Sequence, residues 1–219
     1  MSPRIKLLFI FAATLYCISI LLPPYPGHWL VKMLPVALLI FAVSRWPADK
    51  TQKLFLTGLV FSVFGDFFLG YDSNNWFIFG LGAFFIAHIA YILALMPVAK
   101  SNGGKTYAIL AYLAGGGLVL SLLLPGLGEL LIPVIAYISI LLVMAICALL
   151  SEKSNAWMVI GGLSFVASDA LIGLNKFYLT IPQAQFFIMI SYYFAQYALL
   201  QGFAGPQTSR VELKEARAE

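Results

Sequence analysis

The chain has 219 residues, 62% of them hydrophobic and only 10% charged, with a formal net charge of +4 and a mean hydropathy of +0.94. Soluble domains carry about 25% charged residues, so this composition excludes a soluble globular enzyme and a disordered or collagen-like chain. The pI near 9.0 comes without a basic patch on a soluble face, which argues against a nucleic-acid partner.

What is left is an integral membrane protein. Strands of outer-membrane barrels alternate apolar and polar residues, whereas this chain runs in apolar blocks of about 20 residues, the length of a membrane-crossing helix. The expected fold class is all-α, a polytopic membrane protein with eight transmembrane helices. Arg4 and Lys6 precede the first block, Leu7–Leu22. It has the outline of a signal peptide but no small-x-small cleavage pattern, and it runs into Pro23-Pro24-Tyr25-Pro26, so it reads as an uncleaved first span. The blocks that follow are Trp29–Trp46, Leu54–Tyr71, Trp76–Met96, Tyr107–Leu124, Leu130–Leu150, Ala156–Leu174 and Ala184–Phe203. Short breaks rich in Pro, Gly, Asn and charge separate them. The expected organisation is a single eight-helix domain over residues 1–204 and a cytoplasmic polar tail over 205–219. Cys17 and Cys147 both fall inside apolar blocks and read as small packing residues.

Lys and Arg are distributed unevenly. Arg4, Lys6, Arg45, Lys50, Lys53, Lys100, Lys105, Lys153, Arg210, Lys214 and Arg217 fall on one side of the alternating spans, only Lys176 on the other, and Lys32 within a span. The positive-inside rule then makes both termini cytoplasmic. Short loops point to a bacterial inner membrane.

The halves resemble each other. Phe64-Gly65-Asp66-Phe67-Phe68-Leu69-Gly70 in span three matches Ala167-Ser168-Asp169-Ala170-Leu171-Ile172-Gly173 in span seven, and Gly58 and Gly161 stand eight residues before the two aspartates. Ala87-His88 and Ala195-Gln196 follow in the next span of each half, and Pro35 and Pro133 mark spans two and six. Spans three and seven run in the same direction, so the reading is two parallel four-helix repeats.

An ionisable residue at the centre of a span costs about 2.5–3.5 kcal/mol on insertion scales, so Asp66 and Asp169 need compensation. They sit 12 and 13 residues into their spans, at matching depth in the outer half of the bilayer. Each is either a hydrogen-bonding centre that glues helices together or part of a functional site. His88 reaches mid-membrane on span four, with Tyr91 three residues on, and needs a partner such as Asp66. Lys32 either snorkels to the outer surface, pairs with an Asp, or receives a phosphate at the mouth of a cavity. Trp29, Trp76 and Tyr178 read as interfacial belt and Glu129 as interfacial. Of Tyr137, Tyr192, Tyr193, Gln196 and Tyr197, the deeper Tyr137 and Gln196 are the better cavity residues. With His28 and His88 the only histidines, a His-rich zinc site has no ligands. G-x-S-x-G, H-E-x-x-H, P-loop and C-x-x-C patterns are absent. Ser62 and Ser168 carry no triad motif. No metal and no cofactor is assigned.

Phe64-Gly65-Asp66, then Phe79-Gly80-Leu81 through Phe84 to Ala87-His88-Ile89-Ala90-Tyr91, resembles the YhhN family of membrane proteins, which includes lysoplasmalogenases. Phe165-Val166-Ala167-Ser168-Asp169, Tyr193-Phe194-Ala195-Gln196, Lys32-Met33-Leu34-Pro35, and Pro133 with Tyr137 are similar to its other motifs, and the likeness runs from about residue 7 to 203. The resemblance implies eight spans and hydrolysis of the vinyl ether bond of a lysophospholipid substrate, giving a fatty aldehyde and glycerophosphocholine or glycerophosphoethanolamine. That reaction needs a carboxylic acid to protonate the alkene carbon and a carboxylate to steady the oxocarbenium ion and deprotonate water. Desolvation and a like charge nearby divide two carboxyls into such a pair. Asp66 and Asp169 are the catalytic candidates, with the acid and base roles unassigned between them. Lys32 would hold the phosphate, His88 one Asp, and Tyr137 and Gln196 the water, with Tyr91 in support. The expected partners are the lysophospholipid and membrane lipid, with no expectation for the oligomeric state. Paired membrane aspartates in parallel repeats also suit a small proton-coupled transporter, and a non-catalytic scaffold is a third reading.

Overall fold

The computed structural model describes residues 1–23, 25–99 and 103–215, the last ten by backbone only. Pro24, Lys100 and Arg217, and the side chains of Arg210 and Lys214, named in the sequence reading, lie outside the described residues. Among the described residues there are eight α-helices and no β-strand: α1 Pro3–Ser19, α2 His28–Ser44, α3 Lys50–Tyr71, α4 Phe77–Leu95, α5 Gly103–Leu123, α6 Leu131–Leu150, α7 Ala156–Phe177 and α8 Ala184–Glu215. Two 3₁₀ turns join α5 to α6. Five helical segments, Lys50–Tyr71, Phe77–Leu95, Gly103–Gly126, Gly128–Leu150 and Ala156–Phe177, are long and apolar enough to cross a membrane, and α2 is a shorter apolar helix.

Capping residues set several starts. Ser2 accepts from the Ile5 N–H ahead of Pro3, so α1 begins four residues earlier than the apolar block. The Asp49 carboxylate accepts from Gln52 N–H at 2.6 Å. Asn155 accepts from the Trp157 and Met158 N–H groups and donates to the Gly202 carbonyl, tying the start of α7 to α8. Gly27 takes a left-handed φ of 79° at the entry to α2. Phe203 ends the apolar block, yet α8 continues to Glu215 through the residues read as a tail.

In spatial order α1, α2, α3, α4, α6, α7 and α8 each touch the next, and α8 closes the ring on α1 and α2; α5 lies outside, against α6 and α7. The tightest pairs are α3 with α4 and α7 with α8. Glycines permit both. Gly58 lies under the Tyr91 ring and Gly65 under Phe84, while Gly161 lies against the Leu199 and Ala195 backbone. Large apolar side chains such as Leu7, Phe11, Leu118, Ile132 and Leu163 face outward, and Lys32, Gln52, Ser62, Asp66, His88, Ser168 and Gln196 are buried. That is the arrangement expected of a protein surrounded by lipid.

The helix ends sort into two sides. Ala99 N–H donates to the Leu150 carbonyl and Glu152 N–H to the Pro97 carbonyl, so the α4–α5 and α6–α7 breaks lie together. At the other end the Lys176 ammonium donates to the Ser73 carbonyl, joining the end of α7 to the α3–α4 turn.

Candidate functional site

Pro35 has no N–H to give its helix and crowds the preceding turn of α2. In that turn the Lys32 carbonyl accepts the Tyr193 hydroxyl of α8 at 2.7 Å. The Lys32 side chain does not snorkel. It is 3% exposed, and its Nζ lies 3.4 Å from Asp66 Oδ1. The other Asp66 oxygen, Oδ2, accepts the Tyr192 hydroxyl at 2.8 Å. Behind Tyr192 a chain of donors runs in one direction. Gln196 Nε2 donates to Tyr192 Oη (3.2 Å) and Tyr91 donates to Gln196 Oε1 (2.8 Å). With its own proton so used, Tyr91 accepts from the Ser62 hydroxyl at 3.4 Å. Every donor in the chain points toward the Asp66 carboxylate.

Asp169 has a separate set of partners. The Tyr137 hydroxyl of α6 donates to Asp169 Oδ2 at 2.5 Å. His88 Nε2 lies 3.3 Å from Tyr137 Oη and 3.7 Å from Asp169 Oδ2. Since Tyr137 gives its proton to the carboxyl group, its oxygen accepts from Nε2–H, which sets the tautomer. His88 Nδ1 is buried with no hydrogen-bond partner among the described residues, and the ring packs edge-on against Phe165. The expected His88–Asp66 partnership is therefore corrected to His88–Tyr137–Asp169. One face of α4 meets α3, where Tyr91 is held, and another meets α6. The 60° between residues three apart on a helix is enough to send His88 to Tyr137 of α6 and Tyr91 to Ser62 of α3 and Gln196 of α8.

Both aspartates line one polar cavity of about 340 Å³, together with Lys32, Ser168 and Tyr192. Its mouth is formed by Ser73, Asn74, Asn175, Lys176 and Gln185, at the α3–α4 and α7–α8 ends. Asp72 pins the α3–α4 turn by accepting from the Asn75 N–H, the Asn75 side chain and the Asn74 N–H, and these bonds hold its carboxyl below the usual range. A second, apolar cavity of about 80 Å³ runs between α4, α5, α6 and α7, lined by Leu81, Gly116, Val119, Leu142 and Val166 among others. Asp169, Leu69, Phe77, Phe84 and Ile172 line both. Asp169 thus sits where a charged space meets a greasy one.

Of the residues singled out in the sequence, Lys32, Asp66 and Asp169 reach the polar cavity and Tyr137 the apolar one. Gln196 and Tyr91 line neither. They stand behind Tyr192, and Gln196 reaches Asp66 through the Tyr192 hydroxyl. Tyr192 is among the hydroxyls the sequence offers on the last span, ranked there behind Tyr137 and Gln196. The signal that would raise it was available, since it lies four residues before Gln196 on the same helix face. Asn175 and Lys176 were passed over because each falls at the end of a span, where polar residues are ordinary. No group of three or more His, Cys, Asp or Glu that could hold a metal occurs among the described residues.

The family model for the YhhN family matches residues 27–203. The chain belongs to the YhhN family. Its relatives include lysoplasmalogenases of Mycobacterium bovis and Mycobacterium tuberculosis, each 33% identical over 199 residues, 85% of this chain and 76% of theirs. The human lysoplasmalogenase TMEM86A is 31% identical over 210 residues, 87% of this chain and 85% of its own. No solved structure matches. This YhhN-family chain is an integral membrane protein and an enzyme, and the names of its relatives favour that over a carrier.

Proposed function

We propose that this YhhN-family chain hydrolyses the vinyl ether bond of lysoplasmalogens inside the membrane, with Asp169 as proton donor and Asp66 as carboxylate. The observation that carries the reading is the position of Asp169, on both the polar and the apolar cavity. A single-chain lipid laid across that junction has its head group among Lys176 and Asn175, its alkenyl chain against Leu81 and Val119, and its vinyl ether beside Asp169. The roles follow from the partners. Asp66 lies against an ammonium group, which favours the ionised form. Each aspartate accepts a tyrosine hydroxyl, and Asp169 has His88 Nε2 at 3.7 Å in place of an ammonium group, so Asp169 is the one less firmly held as an anion.

In the first step the Asp169 proton goes to the alkene carbon remote from oxygen, leaving an oxocarbenium ion beside two carboxylates. Water attacks that cation as Asp66 takes its proton. The hemiacetal then collapses. Asp66 returns the proton to the departing glycerol oxygen, and Asp169 takes the hydroxyl proton. The products are aldehyde and glycerophospho-alcohol, and both carboxyls are reset with one water consumed. Acid–base steps of this kind contribute about 10²–10⁴-fold, and carboxylate stabilisation of the cation adds to them. Tyr192 and Lys32 orient Asp66, while Tyr137 and His88 orient Asp169.

The same reading takes all eight helices as spans, in two parallel four-helix repeats with both termini cytoplasmic in a bacterial inner membrane, residues 1–204 forming the domain. It is supported by a recurring contact, α4 against α6 in one place and α8 against α2 in the other. The test is aldehyde release from a 1-alkenyl-glycerophospholipid by purified protein in detergent. Asp66→Asn and Asp169→Asn are each expected to lower turnover by about 100-fold or more, Asp169→Asn with an unchanged melting profile and Asp66→Asn with a lowered one, because it leaves the buried Lys32 ammonium unpaired. Near wild-type turnover in either removes that residue from the chemistry, and transport seen only in sealed vesicles, with no aldehyde, would make the chain a carrier.

A further inference from the structure

Lys176 stands alone in two respects. It is the single Lys or Arg that the sequence assigns to the loops opposite the basic side, where the positive-inside rule disfavours one. It is also a cation on the polar cavity with no carboxylate within 4.0 Å among the described residues, whereas Lys32 is occupied by Asp66. Its Nζ lies 4.7 Å over the Phe77 ring and gives one hydrogen bond, at 3.3 Å, to the Ser73 carbonyl. An ammonium has three N–H donors, so two are unused. Next to it, the Asn175 side-chain oxygen is committed to the Ile181 N–H, which leaves the amide NH₂ as its free end.

The spacing is the second observation. Asp169 and Lys176 are seven residues apart on α7, on one face and about 10.5 Å along the axis. In a 1-alkenyl-glycerophospholipid seven bonds separate the protonated carbon from phosphorus, an extended span of about 9 Å at ordinary bond lengths. A phosphate held at Lys176 therefore sets the vinyl ether beside Asp169.

We propose that Lys176, with the Asn175 amide, is the phosphate-binding site for a single-chain glycerophospholipid. It fixes the distance from head group to reacting carbon and selects phosphate-bearing lipids over neutral ether glycerols. This rests on the lysolipid reading above. The test uses binding, which needs no turnover. Purified protein in detergent is titrated with 1-O-hexadecyl-glycerophosphocholine and with 1-O-hexadecylglycerol, which differ in the phosphocholine group. The wild type is expected to prefer the first, Lys176→Ala to reduce that preference about 10-fold, and Lys176→Arg to keep most of it. Equal preference in wild type and Lys176→Ala overturns the proposal, as does a loss in Lys176→Arg as large as in Lys176→Ala. Saturable binding of inorganic phosphate that Lys176→Ala abolishes, with no preference between the two lipids in the wild type, would make free phosphate the ligand and overturn the lipid assignment. Absence of aldehyde release would defeat the hydrolase reading and leave this measurement standing. Aldehyde release with an unaltered lipid preference in Lys176→Ala would defeat only the phosphate site.

Discussion

Lys32 and Asp66 are both withdrawn from solvent, and a buried ion pair behaves differently from a surface one. Removing one partner strands the other charge in a medium that cannot solvate it, at a cost of about 3–5 kcal/mol. Lys32→Met is therefore expected to destabilise the protein by that order and to lower kcat, since Asp66 loses the group that favours its ionised form. The double variant Lys32→Met/Asp66→Asn removes both charges and is expected to recover most of the lost thermal stability but none of the activity. Paired melting curves and aldehyde assays check this. A double variant no more stable than the single would mean that the charge of Asp66 is not what Lys32 offsets.

At the scale of elements, the two closest helix pairs rest on missing side chains. A Cβ at Gly161 would stand 2.8 Å from the Leu199 backbone nitrogen, and one at Gly202 2.7 Å from that of Met158. Backbone cannot step aside as a side-chain tip can. Gly161→Ala is expected to part α7 from α8 and cost about 1–3 kcal/mol, moving Ser168 and Asp169 relative to Tyr192 and so lowering turnover as well. Gly117 on α5 meets nothing within 4 Å, and Gly117→Ala is expected to be neutral or stabilising by up to about 1 kcal/mol, because alanine favours the helix. Thermal unfolding of both variants in the same detergent decides the point, and equal effects would refute the packing argument.

For the whole molecule, the distribution of Lys and Arg makes a directional prediction. Single cysteines are introduced at Ser73 and at Glu152, both exposed in turns at opposite ends, in a background without the buried Cys17 and Cys147. A membrane-impermeant thiol reagent added to intact bacterial cells is expected to label Ser73→Cys and to spare Glu152→Cys until the cells are broken. The reverse pattern would turn the protein over and put the cavity mouth, with Lys176, on the cytoplasmic side.

Composition, block length and loop charge were sufficient to make the chain a helical membrane protein and to mark Asp66 and Asp169, because a carboxyl group in an apolar run is conspicuous whatever surrounds it. The Phe64-Gly65-Asp66 and Ala87-His88 motifs were sufficient for the family. The pairing of partners was not legible. Which aspartate meets His88 depends on how α4 is rotated between α3 and α6, and a helix presents neighbouring positions to different neighbours. Nor could the sequence bring Tyr192 of α8 to Asp66 of α3, 126 residues away, since nothing local to either residue encodes that contact. The junction of polar and apolar cavities at Asp169 belongs wholly to the tertiary structure, because it is a property of the space between helices and of no one of them.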